Sequence, residues 1–196
     1  MTSIEREFDL HAAVHFEDKF LINYYSIVCS MNVETESIKE QNIAMDRIKC
    51  LLDECLSNSV LIHDTEKKAI EKYTSAGMKV CTLPEEPYDQ IAALMLFHKL
   101  NAITEGRIEI TAISLDSVVG DGVRFIYDIE NSEHPYKSGW WNEPGPSITS
   151  TVSNKKDKIV KLVKQSDWSI YGLEWKQTST VPTEIIFSQD LDKGQP

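Results

Sequence analysis

The chain has 196 residues, of which 41% are hydrophobic, and a formal charge of −11. That length makes one domain the default, and that hydrophobic fraction excludes a disordered chain. The acidic balance opposes phosphate backbones, so direct nucleic-acid binding is not expected. The charge is uneven: residues 1–135 carry 12 Lys+Arg against 24 Asp+Glu, and residues 136–196 carry 8 against 7. The acidic part leaves a basic protein partner, or a metal, open.

The first 19 residues are polar with scattered apolar positions and read as an N-terminal arm. His11 and His15 lie four apart, a spacing that would share one helix face, but no acidic catalytic residue accompanies them in a known metal motif. Residues 20–33 are rich in Tyr, Ile and Val and read as a strand. Leu21, Tyr25, Ile27, Cys29, Met31 and Val33 then share its inward face. Ser37 with Glu40 fits a capping box, opening a helix whose Met45, Ile48, Leu51, Leu52, Cys55 and Leu56 face inward. Residues 60–62 form a short strand. Asp64 is placed to cap a second helix over residues 65–76, stopped by Gly77. Residues 78–83 form another strand.

Residues 83–116 are the stretch the rest is organised around. Acidic residues and Pro87 suit a helix start. From Ile91 to Phe97 every residue is apolar, which predicts a helix covered on most sides, yet far shorter than the roughly 20 residues needed to cross a bilayer. Gly106 ends it, and Ile108 and Ile110 alternate with polar residues as in a strand. The phase slips at Ala112–Ile113, which predicts a bulge or the strand's end. Asp121–Gly122 reads as a hairpin connection to a strand over residues 123–129. Residues 130–156 are rich in Ser, Asn, Pro and Gly and form a long irregular loop, the place where binding residues concentrate. Tyr136, Trp140 and Trp141 lie in it. One indole is free to lid the core while the other meets a ligand, or both pack down and anchor the loop. A short helix follows at residues 157–165, then an aromatic cluster of Trp168, Ile170, Tyr171, Leu173 and Trp175 that must bury. A strand at residues 183–188 and a frayed tail complete the chain.

The four cysteines, Cys29, Cys50, Cys55 and Cys81, make no C-x-x-C pair and sit in apolar elements, so buried reduced thiols are expected rather than disulfides or zinc ligands. Neither a signal peptide nor a membrane span is read, which suggests a cytoplasmic chain. No phosphate-cradling glycine loop, nucleophile elbow or zinc-protease motif occurs, and no metal or cofactor is assigned. His63, Asp64, Glu105 and His134 are the candidate catalytic residues. The pair His63–Asp64 ends a strand, a common place for a site, and a site where the Trp loop crosses the sheet would need two of the four within hydrogen-bond reach.

The wording of LPEEPYDQI, KLNAITEGRIEIT and GWWNEPGPS resembles a set of uncharacterised acidic proteins of marine tailed phages, over residues 20–150. That resemblance implies no activity and no catalytic residue. The sequence therefore predicts an α+β fold, a mixed β-sheet covered by three helices, with a Trp-rich loop and a small C-terminal helix and strand. Residues 1–19 form the arm, 20–130 the core domain and 131–196 the segment packed on it. The function expected is a non-enzymatic acidic binder of a protein partner or of itself, as a homo-oligomer, through Tyr136, Trp140 and Trp141. The alternative is a small hydrolase acting on a small or nucleotide-like substrate.

Overall fold

A computed structural model describes residues 2–131, 136, 138–149 and 167–175. The expected helix at 157–165, the strand at 183–188, the tail and His134 lie outside the described residues. The fold is α+β, as expected: a mixed six-stranded sheet in the order β4-β3-β1-β2-β5-β6 with three α-helices.

The N-terminal arm is a correction. Residues Thr2–Phe16 form β1, a long strand inside the sheet, paired residue for residue with β2 (Lys19–Val33). Ile4, Phe8, Leu10, Ala12, Val14 and Phe16 recur at every second position and point one way, a period-2 pattern diluted by Arg6 and by the charged residues between them. The connecting turn places Glu17 and Asp18 at φ 48° and 60°. Both lie in the left-handed region that two-residue hairpin turns require, without the Asn-Gly or Asp-Gly signal that normally announces it.

The inward row of β2 is the expected one: Tyr25, Ile27, Cys29 and Met31 are buried, and Leu21 packs on the core edge. The helix α1 (Ile38–Cys50) opens on Ser37, whose Oγ accepts from the Glu40 N–H at 3.4 Å. The reciprocal half of the capping box is diverted, because the Glu40 carboxylate accepts from Thr35 Oγ1 at 2.9 Å. One wide π-helical turn, Leu51–Leu56, prolongs α1 and buries Leu51, Leu52, Cys55 and Leu56. Strand β3 (Ser59–His63) then pairs parallel with β1, but only at Ala13 and Val14. Helix α2 (Lys67–Ser75) leads to β4 (Lys79–Leu83), parallel to β3. Asp64 does not cap α2: the cap position is Glu66, with no side-chain hydrogen bond, so the capping assignment is corrected.

Helix α3 (Asp89–Thr104) is the interior scaffold that its apolar run predicts, with Ile91 to Phe97 all buried. It ends with Glu105 and Gly106 both at positive φ, 48° and 76°. Strand β5 (Ile108–Ser117) pairs with β2, and the phase slip is a bulge: Ser30 faces Ala112 while Met31 faces Ile110, leaving Thr111 as the extra residue. Strand β6 (Arg124–Asp128) closes the sheet. Helices α1 and α3 cover the inner sheet face. The outer face carries α2 at one side, where Tyr73 packs on Phe20 and its hydroxyl meets His15 Nδ1 at 3.0 Å. Among the described residues no helix is long and apolar enough to cross a membrane.

Candidate functional site

The Trp-bearing segment is anchored rather than presented. Trp140 and Trp141 are only 1% and 4% exposed, so both indoles pack down and neither offers a contact surface in this conformation. Trp140 Nε1 donates to the Thr82 carbonyl at 2.7 Å. A residue that sequence reasoning passed over does the rest. Lys99, wholly buried on α3, donates from Nζ to the carbonyls of Trp140, Glu143 and Gly145 at 2.8, 2.9 and 2.6 Å. An ammonium has three donors, and all three are used. Burial pulls the Lys99 pKa down to about 8, with Glu143 opposing. Tyr136 is half-buried; burial and then its hydrogen bond to Glu85 push its hydroxyl up to about 12.

Glu105 has a structural partner. Its carboxylate lies 2.7 Å from Arg47 Nη1, a buried guanidinium that also donates to the carbonyls of Ile103 at 3.0 Å and Leu173 at 2.9 Å. Arg47 is sandwiched against the rings of Trp175 and Trp168, at 3.8 and 4.9 Å, which is where part of the C-terminal aromatic cluster buries. Trp168 is buried there, whereas Ile170 is 66% exposed. Burial lowers the Arg47 pKa, and Glu105 counters it.

His63 and Asp64 sit at the end of β3, with His63 Nδ1 3.1 Å from Thr65 Oγ1 and 3.5 Å from Glu86. The approach of His63 Nε2 to Asp64 is 3.9 Å, beyond a hydrogen bond. Glu105 lies past the C-terminal end of α3, a helix spanning ~24 Å, while His63 meets Glu86 before its N-terminal end. The candidate catalytic residues in the described regions are therefore not brought together. Among the described residues no group of three or more His, Cys, Asp or Glu is arranged to hold a metal. The four cysteines are unpaired, and burial pushes Cys29 and Cys50 up to about 12, which leaves them as unreactive thiols.

Among the described residues the sheet leaves an edge open. The His11 carbonyl accepts from the Asn58 N–H at 2.7 Å, so the polar backbone groups of His11 point away from β2 and toward β3. The β1–β2 register runs without a shift, so Ser3, Glu5, Glu7 and Asp9 point the same way. Beside those four residues β3 does not extend, and their N–H and C=O groups meet no strand among the described residues. Their side chains share the outer face and are exposed, three carboxylates in a row at intervals of ~7 Å. On the inner face of the same strand Ile4 and Phe8 are half-buried. Sequence reasoning missed this surface because it missed β1.

No protein-family model and no curated protein matches the chain. Among solved structures, the chain is similar to an uncharacterized protein of Wolinella succinogenes, at 9% identity and TM-score 0.48, covering 65% of this chain and 98% of that one. It is also similar to 6-pyruvoyl tetrahydropterin synthase of Plasmodium vivax, at 8% identity and TM-score 0.40, covering 64% and 96%. The corresponding protein of Plasmodium falciparum gives 9% identity and TM-score 0.38 with the same coverage. Likenesses this distant assign no chemistry here.

Proposed function

We propose that this chain is a non-catalytic binding protein whose contact with a protein partner is strand addition at the open edge of β1. The observation that carries the reading is the acidic edge from Ser3 to Asp9, which no strand among the described residues covers. An added strand completes the ladder with main-chain hydrogen bonds, and alternate side chains supply specificity. Partner residues facing Glu5, Glu7 and Asp9 would be basic; those on the other face would be apolar, against Ile4 and Phe8. A second copy fits this edge poorly, because antiparallel pairing of β1 with itself sets acid against acid, which destabilises a pair. The contact thus moves from Tyr136, Trp140 and Trp141 to β1. The hydrolase alternative finds no support in the placement of His63, Asp64 and Glu105. Four unpaired thiols support a reducing, cytoplasmic setting. The resemblance to phage proteins stays a proposal with no chemistry attached.

The test uses a heptapeptide alternating Lys and Val, with a Glu/Val peptide as control, titrated against the full chain by calorimetry. Glu7→Pro removes an edge-facing N–H while leaving the β1–β2 ladder whole. The Lys/Val peptide should bind, and Glu7→Pro should weaken it by about tenfold or more. Equal binding to the Glu/Val peptide, or binding indifferent to Glu7→Pro, would sink the proposal. So would a stable dimer by light scattering that Glu7→Pro dissociates, since the edge would then belong to self-association.

A further inference from the structure

A cavity of about 310 Å³ lies at the opposite end of the hairpin, between the β1–β2 turn, the start of α3 and the β5–β6 connection. Its wall is largely apolar, with Phe16, Leu21, Val123 and Phe125 among the lining side chains. Tyr88, half exposed, stands edge-on to Phe16 at 5.2 Å. Two polar side chains break the apolar wall, Asp89 and Asn23, and both are buried.

Each is held by hydrogen bonds to the elements around the cavity. Asn23 Oδ1 accepts from the N–H groups of Tyr24 at 2.9 Å and Val119 at 3.0 Å, which fixes the amide orientation. Its Nδ2 is sealed from solvent and faces the Tyr25 hydroxyl, which is sealed in the same way. Asp89 is 7% exposed, and its Oδ2 accepts from Ser117 Oγ at 2.7 Å. Ser117 Oγ in turn accepts from the Gly120 N–H at 3.1 Å. A side chain at Gly120 would run into the Asp89 carboxylate, so glycine lets the β5–β6 connection close over it. Among the described residues Asp89 Oδ1 meets no donor of its own. Burial raises the Asp89 pKa, the Ser117 bond opposes this, and Asp116 adds to it.

A buried carboxylate oxygen without a donor is expensive, and native proteins rarely keep one without a partner. An apolar cavity with a few fixed polar groups is also the usual form of a small-molecule site, and this volume lies at the lower end of such sites. We infer that this cavity binds a small, uncharged, mainly apolar molecule bearing a carboxamide or lactam group. Its N–H donates to Asp89 Oδ1, with the ring or chain against Phe16 and Phe125. Carboxylic acids are excluded by Asp89. This site is remote in the fold from the Ser3–Asp9 edge and does not depend on it.

The probes are benzamide, benzoate and toluene, titrated up to ~10 mM against the full isotope-labelled chain by amide NMR, a range suited to weak fragment binding. Benzamide should give saturable shifts confined to the hairpin turn, the start of α3 and residues 117–125; benzoate should give none. Asp89→Asn keeps an acceptor for Ser117 but turns a donor toward the cavity. It should weaken benzamide by about tenfold or more and admit benzoate. Leu21→Trp, which fills the space, should remove both. If benzamide and toluene bind alike, or Asp89→Asn leaves benzamide unchanged, the polar recognition is wrong. If nothing saturates in the folded wild-type chain, the site is wrong, and a peptide bound at β1 would be unaffected by that result.

Discussion

Helix α3 carries two buried charges, and they are treated in opposite ways. Lys99 faces three carbonyls of the Trp-bearing segment and spends every donor it has. Asp89, at the other end of the helix, has one hydrogen bond from Ser117 and a cavity beside it. A buried charge with all its bonding capacity used is a fastener, because any ligand would have to displace partners already in place. A buried charge with capacity left over beside open space is a recognition group. Burial and an altered pKa are common to both residues, so neither separates structure from function. The count of unused bonds does.

The largest effect should come from breaking the saturated end. Lys99→Met leaves three carbonyls without donors, partly offset by relief of the buried ammonium, and should destabilise the chain by about 3 kcal/mol. Urea unfolding followed by tryptophan fluorescence reads this directly, and a change too small to resolve would mean that the fastener is idle. Gly120→Ala attacks the other end. The added methyl displaces Asp89, at about 1–2 kcal/mol in the same unfolding assay, and should abolish benzamide binding. Retention of that binding would detach Gly120 from the cavity.

The smallest effect is one of pH. Burial holds the folded-state pKa of Asp89 above its unfolded value, so the native chain binds this proton more tightly than the unfolded chain. The resulting stabilisation is complete below the unfolded pKa and is lost as pH rises through the folded one. Asp89→Asn should therefore gain stability relative to wild type as pH is raised from the acid range toward neutrality. A constant difference across that range would remove the desolvation account.

Much of the fold could be read directly. The unbroken apolar run from Ile91 to Phe97 required a helix covered on several sides, and the phase slip expected at Ala112–Ile113 is a bulge whose extra residue is Thr111. The inward row of β2 followed from alternation alone. Strand β1 escaped because Glu5, Arg6, Glu7 and Asp9 mask a period-2 pattern that Ile4, Phe8, Leu10 and Val14 still carry. Its turn, Glu17–Asp18, also lacks the residues that usually mark one.

Neither surface given a function here follows from a motif. The β1 edge exists because β3 pairs with it only at Ala13 and Val14, and nothing in either strand's own sequence sets where their overlap ends. The cavity brings together Asn23, Asp89 and Gly120 from a hairpin, a helix start and a loop far apart along the chain. Local alternation and helical spacing decide which face of an element turns inward, since burying apolar area is favourable wherever the element packs. Which polar groups end without a partner depends on how the packed elements overlap, and that was decided only by the tertiary structure.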